Sequence, residues 1–242
     1  MAYIENPKTK GSGILCCIPQ KGHCPLSCED CFYNTGRSYL EPLDENTPNL
    51  PPITDTMDRV VRVNDGGDSS IDREEVMWLT QHYKQKFYNT SIPDFLDEFD
   101  APVVLTVNPG SLTDRDFYRI WSWNLMYVRA RVNTWNLHLI DSIVSHYTLE
   151  MADKIPVVLT FMAYFDQPIP ELHRDRYVFR KRTLNSYWAI TTEAWRRIME
   201  YYNDNNLVYS CGHIEGELGE TKCKYCGNCL REYFATMERM KQ

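Results

Sequence analysis

No stretch of the 242-residue sequence approaches the roughly 18–20 apolar residues of a helical membrane span, and the N-terminus Met1-Ala-Tyr-Ile-Glu-Asn-Pro7 has no apolar signal-peptide core. These two absences predict a cytoplasmic protein with no membrane partner. Positive charge is also in short supply, since 26 Lys and Arg face 33 Asp and Glu for a net charge of −7. That deficit argues against nucleic acid as a partner, because a polyanion would not be attracted at long range. There is no Walker loop, no G-x-S-x-G and no Rossmann glycine fingerprint, which sets aside three common catalytic frameworks. The six histidines form no H-x-x-H or similar cluster, and no internal repeat is visible. These gaps do not amount to disorder: 43% hydrophobic residues, with 16 Tyr and 6 Trp, suffice for one sizeable core.

Cysteine, by contrast, is plentiful. Nine are present, and seven fall into two groups, Cys24/Cys28/Cys31 and Cys211/Cys223/Cys226/Cys229. In a reducing compartment such groups read as metal ligands rather than disulfides. Cys16 and Cys17 lie within the apolar run Ile14–Ile18 and read as small buried hydrophobes of a strand. The segment Cys24-Pro-Leu-Ser-Cys28-Glu-Asp-Cys31-Phe32 spaces its thiols as C-x3-C-x2-C. Three thiolates without a fourth nearby suit an iron–sulfur cluster that keeps one iron open for a substrate or cofactor, because closed sites use four. Cys211-x11-Cys223-x2-Cys226-x2-Cys229 supplies four thiolates and hence a closed site, for an iron–sulfur cluster or for zinc.

Apolar patterning predicts strands over 13–19, 59–64, 102–108, 126–133 and 155–164, with shorter ones over 187–190 and 207–210. Helices are expected over 72–88, where Asp72 can cap and Val76, Leu79, Tyr83 and Phe87 recur at helical spacing, then after Thr113, over 137–151 and over 191–202. Residues 34–58, rich in Pro, Asn, Asp and Glu, read as a long surface loop or lid. Strands alternating with helices indicate an α/β chain with a parallel sheet and right-handed crossovers. Five or six such units make an open partial barrel. The cysteine triplet then sits at the C-terminal end of the first strand, where parallel barrels carry their chemistry. Alternation sends Val128, Ala130 and Val132 toward the helices and Arg129, Arg131 and Asn133 toward the lumen, together with Arg62, Asn64, Thr106 and Asn108. A polar lumen fits either a charged cofactor or an internal hydrogen-bonded network.

The cysteine triplet with Phe32 after its last member, followed one strand later by Asp65-Gly66-Gly67-Asp68, resembles the cluster loop and glycine-rich segment of the radical S-adenosylmethionine (SAM) enzyme superfamily. The resemblance implies a partial (β/α)6 TIM-type barrel over residues 1–206 and a small C-terminal cysteine-rich metal-binding extension over 207–242. It implies a [4Fe–4S] cluster on Cys24, Cys28 and Cys31 whose open iron chelates SAM and cleaves it reductively to methionine and a 5′-deoxyadenosyl radical. That radical would abstract hydrogen from a small-molecule or peptide substrate. In the family's pattern Phe32 lies near the adenine and Gly66, Gly67 and Asp68 meet the SAM ammonium, although Asp68 stands where the family commonly has Glu. By position, Asn108, Asn133, Arg129 and Arg131 would reach the ribose or carboxylate. Extensions in the family often hold an auxiliary [4Fe–4S] cluster, here on Cys211, Cys223, Cys226 and Cys229 with zinc as the alternative, and a flavodoxin- or ferredoxin-type donor supplies electrons. The length is also similar to that of glycyl-radical-enzyme activases and of deazaguanine-type synthases. The competing class is a non-enzymatic binding module stabilised by zinc or clusters at both cysteine sets.

Overall fold

The computed structural model describes residues 2–26, 28, 31, 33, 36–108, 120–165, 167–181, 186–211, 213–215 and 220–241. Its strands run β1 (Ile14–Cys17), β2 (Val60–Val63), β3 (Lys86–Thr90), β4 (Val103–Val107), β5 (Leu125–Val132), β6 (Val157–Phe161), β7 (Ala163–Tyr164), β8 (Tyr177–Arg180), β9 (Tyr187–Ile190) and β10 (Val208–Ser210). Seven of them, in the order β1-β2-β3-β4-β5-β6-β10, form a parallel sheet curled into a half-barrel. The remaining three make a small antiparallel sheet, β7-β9-β8, inserted between β6 and β10. The helices are α1 (Leu43–Asn46), α2 (Arg73–Thr80), α3 (Leu137–Ser145), which runs on as a π-turn to Glu150, and α4 (Thr192–Tyr201). After β10 come a short hairpin, β11 (His213–Glu215) with β12 (Glu220–Lys222), then α5 (Cys223–Cys226) and α6 (Asn228–Arg239).

Both faces of the sheet are covered. On the outer face Val61, Val63, Val103, Leu105, Val128, Ala130, Val132 and Leu159 share one core with Val76 of α2, Ile140 and Ile143 of α3 and Ile198 of α4. The inner face carries Ile14, Val60, Phe87, Val104, Met126 and Val158 near the N-terminal ends of the strands, where Leu230, Tyr233 and Met237 of α6 close over them. Val128, Ala130 and Val132 therefore point outward as alternation requires, and Arg129 and Arg131 take the opposite face.

The structure revises four expectations. The helix starting after Asp72 stops at Thr80, whose hydroxyl donates back to the Val76 carbonyl, and Asp72 makes no side-chain cap. Lys86-Phe-Tyr-Asn-Thr90 is instead a central strand, with Phe87 in the inner core and Tyr88 in the outer one; a period-two pattern wins over the chance helical spacing of Leu79, Tyr83 and Phe87. Residues 34–58 are no free lid. Leu40 and Leu43 are fully buried with Ile18 and Tyr33, and Asn49 exchanges backbone hydrogen bonds of 3.0 and 2.8 Å with Ile18. Nor does the expected boundary at 206/207 separate two cores, because β10 pairs with β6 and α6 fills the inner face. The helix expected after Thr113 falls mostly outside the described residues.

Candidate metal centres and ligand site

β1 ends at Cys17, and the chain leaves the sheet into the loop that carries Cys24, Cys28 and Cys31. Cys24 and Cys31 pack on the cluster of Ile18, Tyr33, Leu40 and Leu43, so the strap over residues 36–49 props the loop. Thr47 ties the two together: its hydroxyl donates to the Leu43 carbonyl and accepts from the Gly22 amide, both at 2.6 Å. Burial pushes the Cys24 thiol up to about 11, helped by Asp68, Cys31 and Cys28 and opposed by a backbone hydrogen bond from Leu26. Phe32 lies outside the described residues.

The glycine-rich segment after β2 lies against this loop. Any side chain at Gly66 would overlap the ring of Tyr33, whose hydroxyl donates to the Gly22 carbonyl at 3.2 Å. Gly67, at φ +109°, passes close to Asn64, itself held in the left-handed region at φ 58°. Asp68 is committed to its own fold. One carboxylate oxygen accepts from Ser70 N at 2.9 Å and Thr90 Oγ1 at 2.6 Å, the other from Ser91 N at 2.6 Å and Ser91 Oγ at 2.8 Å. Ser91 Oγ in turn stands 3.9 Å from Cys28 Sγ, so Asp68 positions a neighbour of the cysteine loop through Ser91. Cys24, Tyr33, Gly66, Gly67 and Asp68 line a cavity of about 100 Å³, well below the usual volume of a nucleoside-sized site.

Across the inner face, beyond the α6 plug, polar groups take over. Asn64 follows β2, Asn89 is in β3, Asn108 follows β4 and Thr160 is in β6. The amide oxygens of the three asparagines and the Thr160 hydroxyl are buried with no hydrogen-bond partner among the described residues. Orphaned buried acceptors cost about 1–3 kcal/mol each, so four on one face fit a ligand with donor groups better than an internal network. Asn133 has a different task. Its side-chain oxygen accepts from Trp135 N at 3.0 Å and its amide donates to Asn136, shaping the turn into α3. Arg131 lies on the inner face two residues beyond Arg129, and its carbonyl accepts from Asn136 at 3.0 Å.

Arg129 is drawn to the other cysteine set. Cys211, which ends β10, donates its amide to the Leu159 carbonyl at 2.7 Å, and α6 brings Cys229 to within 3.3 Å of the Tyr127 hydroxyl. Burial pushes the Cys211 thiol up to about 12, Arg129 opposes that shift, and Cys223, Cys229 and Cys226 add to it. Cys223 is likewise raised by burial and lowered by Arg62. The Arg129 guanidinium, hydrogen-bonded to the phenol that reaches Cys229, is the kind of cation that favours a deprotonated sulfur. Among the described residues no three His, Cys, Asp or Glu side chains converge tightly enough to ligate a metal as they stand. Cys16 and Cys17 are fully buried, as their strand position predicts.

Tyr127, Asn89 and Ser91 were not singled out in the sequence as site residues. Alternation alone could have found Tyr127, which shares a face with Arg129. Compared with protein-family models, with curated proteins and with solved structures, the chain matches none of them.

Proposed function

We propose that the chain is a radical SAM enzyme built on a partial TIM-type barrel, with Cys24, Cys28 and Cys31 holding a [4Fe–4S] cluster. The observation that supports this reading is the loop carrying Cys24, Cys28 and Cys31 lying against the Gly66–Asp68 segment at the C-terminal edge of a parallel half-barrel. When bound, such a cluster supplies the electron that breaks a carbon–sulfur bond of SAM and so generates the 5′-deoxyadenosyl radical. The chain's own residues bind and orient. The orphaned oxygens of Asn64, Asn89 and Asn108 accept from ammonium or hydroxyl groups of a ligand lying on the inner face. Arg131 faces the same space and supplies a cation for a carboxylate. Gly66 and Tyr33 hold the cysteine loop against the sheet edge, and Asp68 acts through Ser91 rather than by direct contact with the cofactor. The substrate is a small molecule or peptide, and an external flavodoxin- or ferredoxin-type protein delivers the electron.

Anaerobic reconstitution with iron and sulfide tests the reading. About eight irons per chain and saturable SAM binding are expected for two clusters. Tightly held zinc at both cysteine sets, with no SAM binding, would replace it with the stabilised binding module.

A further inference from the structure

The inner face holds the half-buried guanidinium of Arg129 and the buried phenol of Tyr127 beside Cys229. Tyr127 Oη stands 3.3 Å from Cys229 Sγ, and Arg129 Nη2 donates to that same oxygen at 3.1 Å. Because Arg129 occupies the phenol oxygen as a donor, the phenol's own proton is directed toward the sulfur. Arg129 Nη1 also reaches Thr106 Oγ1 at 3.4 Å, which fixes the plane of the guanidinium. From β2, Arg62 pairs with Asp65 and donates to Cys16 Sγ at 3.3 Å, so its charge is already offset. No carboxylate is ion-paired with Arg129 among the described residues, and a cation drawn partly out of water without a counter-charge is costly.

We propose that Tyr127 and Arg129 are positioning residues for an anionic metal centre on Cys211, Cys223, Cys226 and Cys229, seated inside the half-barrel rather than on an appendage. The inference rests on the reading that these cysteines hold metal. A four-thiolate centre, whether iron–sulfur or zinc, carries net negative charge, which Arg129 balances. The Tyr127 hydroxyl donates to the Cys229 sulfur, and Arg129 keeps that hydroxyl in place.

The test uses the full chain carrying Cys24→Ala, Cys28→Ala and Cys31→Ala, so that bound metal reports on the C-terminal set alone. The protein is loaded with iron and sulfide, or with zinc, and metal loss to a chelator is followed. Tyr127→Phe and Arg129→Met are expected to lose metal on the order of ten-fold faster. Arg129→Lys, which keeps the charge, is expected to recover part of that loss. In the reciprocal background, Cys223→Ala with Cys226→Ala, the same substitutions should leave metal retention by Cys24, Cys28 and Cys31 unchanged. Tyr127→Phe preserves shape, and thermal unfolding of the metal-free chains separates a loss of fold from a loss of metal. Equal retention in all variants, parallel loss from both cysteine sets, or a C-terminal set that takes up no metal overturns the proposal. The radical reading fails separately, by absence of SAM cleavage in the chain with both sets intact, and that result leaves the metal-retention measurement standing.

Discussion

Single residues here do work that their types only partly announce. Cys16 was legible as a buried strand residue, but not its neighbours: Thr9 Oγ1 and Arg62 Nη2 each stand 3.3 Å from its sulfur. Burial raises this thiol from the ordinary 9.0 to about 12. The folded state thus keeps a proton that the unfolded state gives up first. Stability from this group is complete below about pH 9 and is lost progressively toward about pH 12. Denaturation of the metal-free chain across that window should show a shallower alkaline decline in Cys16→Ala; an unchanged slope would assign the decline to the other buried thiols and the buried tyrosines. Asp68 teaches a complementary lesson. Its place in Gly66-Gly67-Asp68 suggested contact with a ligand ammonium, whereas Thr90 and Ser91, more than twenty residues on, occupy the carboxylate. No local pattern encodes partners at that distance. Asp68→Asn leaves at least one donor of Ser91 poorly matched and should cost about 1–3 kcal/mol in chemical denaturation; an unchanged midpoint would remove Asp68 as the tie.

At the scale of elements, strand alternation was readable and strand count was not. The polar inner face of β5 and the outward Val128, Ala130 and Val132 follow from period two. β3 was hidden because Leu79, Tyr83 and Phe87 mimic a helix and because strands buried on both faces lack an alternating signature. The 36–49 strap was also misread, since its Pro, Asn and Asp residues look solvated while Leu40, Leu43 and Asn49 are buried. Its purpose is to hold the cysteine loop, and Tyr33 is the contact between that loop and the glycine segment. Gly66→Ala drives a methyl group into the Tyr33 ring. A loss of about 1–3 kcal/mol follows from overpacking, together with weaker iron uptake by Cys24, Cys28 and Cys31 measured in the chain lacking Cys223 and Cys226. Wild-type stability and uptake in that variant would show that the loop is not seated on Gly66.

For the whole molecule, the C-terminal segment reads in the sequence as a cysteine-rich appendage and in the structure as the plug of the half-barrel. Amphipathic spacing in α6 says that Leu230, Tyr233 and Met237 seek an apolar surface, but not that the surface is the inside of the sheet. Truncating Tyr233 to Ala should cost about 3–5 kcal/mol, the range for buried aromatics, and lower the melting temperature of the entire chain in one transition. A separate low-temperature transition would restore the appendage. The loop carrying Cys24, Cys28 and Cys31 lies with Gly66–Asp68 at the C-terminal edge of the half-barrel, and that placement is the ground for proposing radical chemistry. The direct measurement is 5′-deoxyadenosine formed from SAM and dithionite by the anaerobically reconstituted chain. The account predicts product from the wild-type protein and none after Cys24→Ala, Cys28→Ala and Cys31→Ala; an iron-loaded wild-type protein that forms none, or a triple variant that still does, would contradict it.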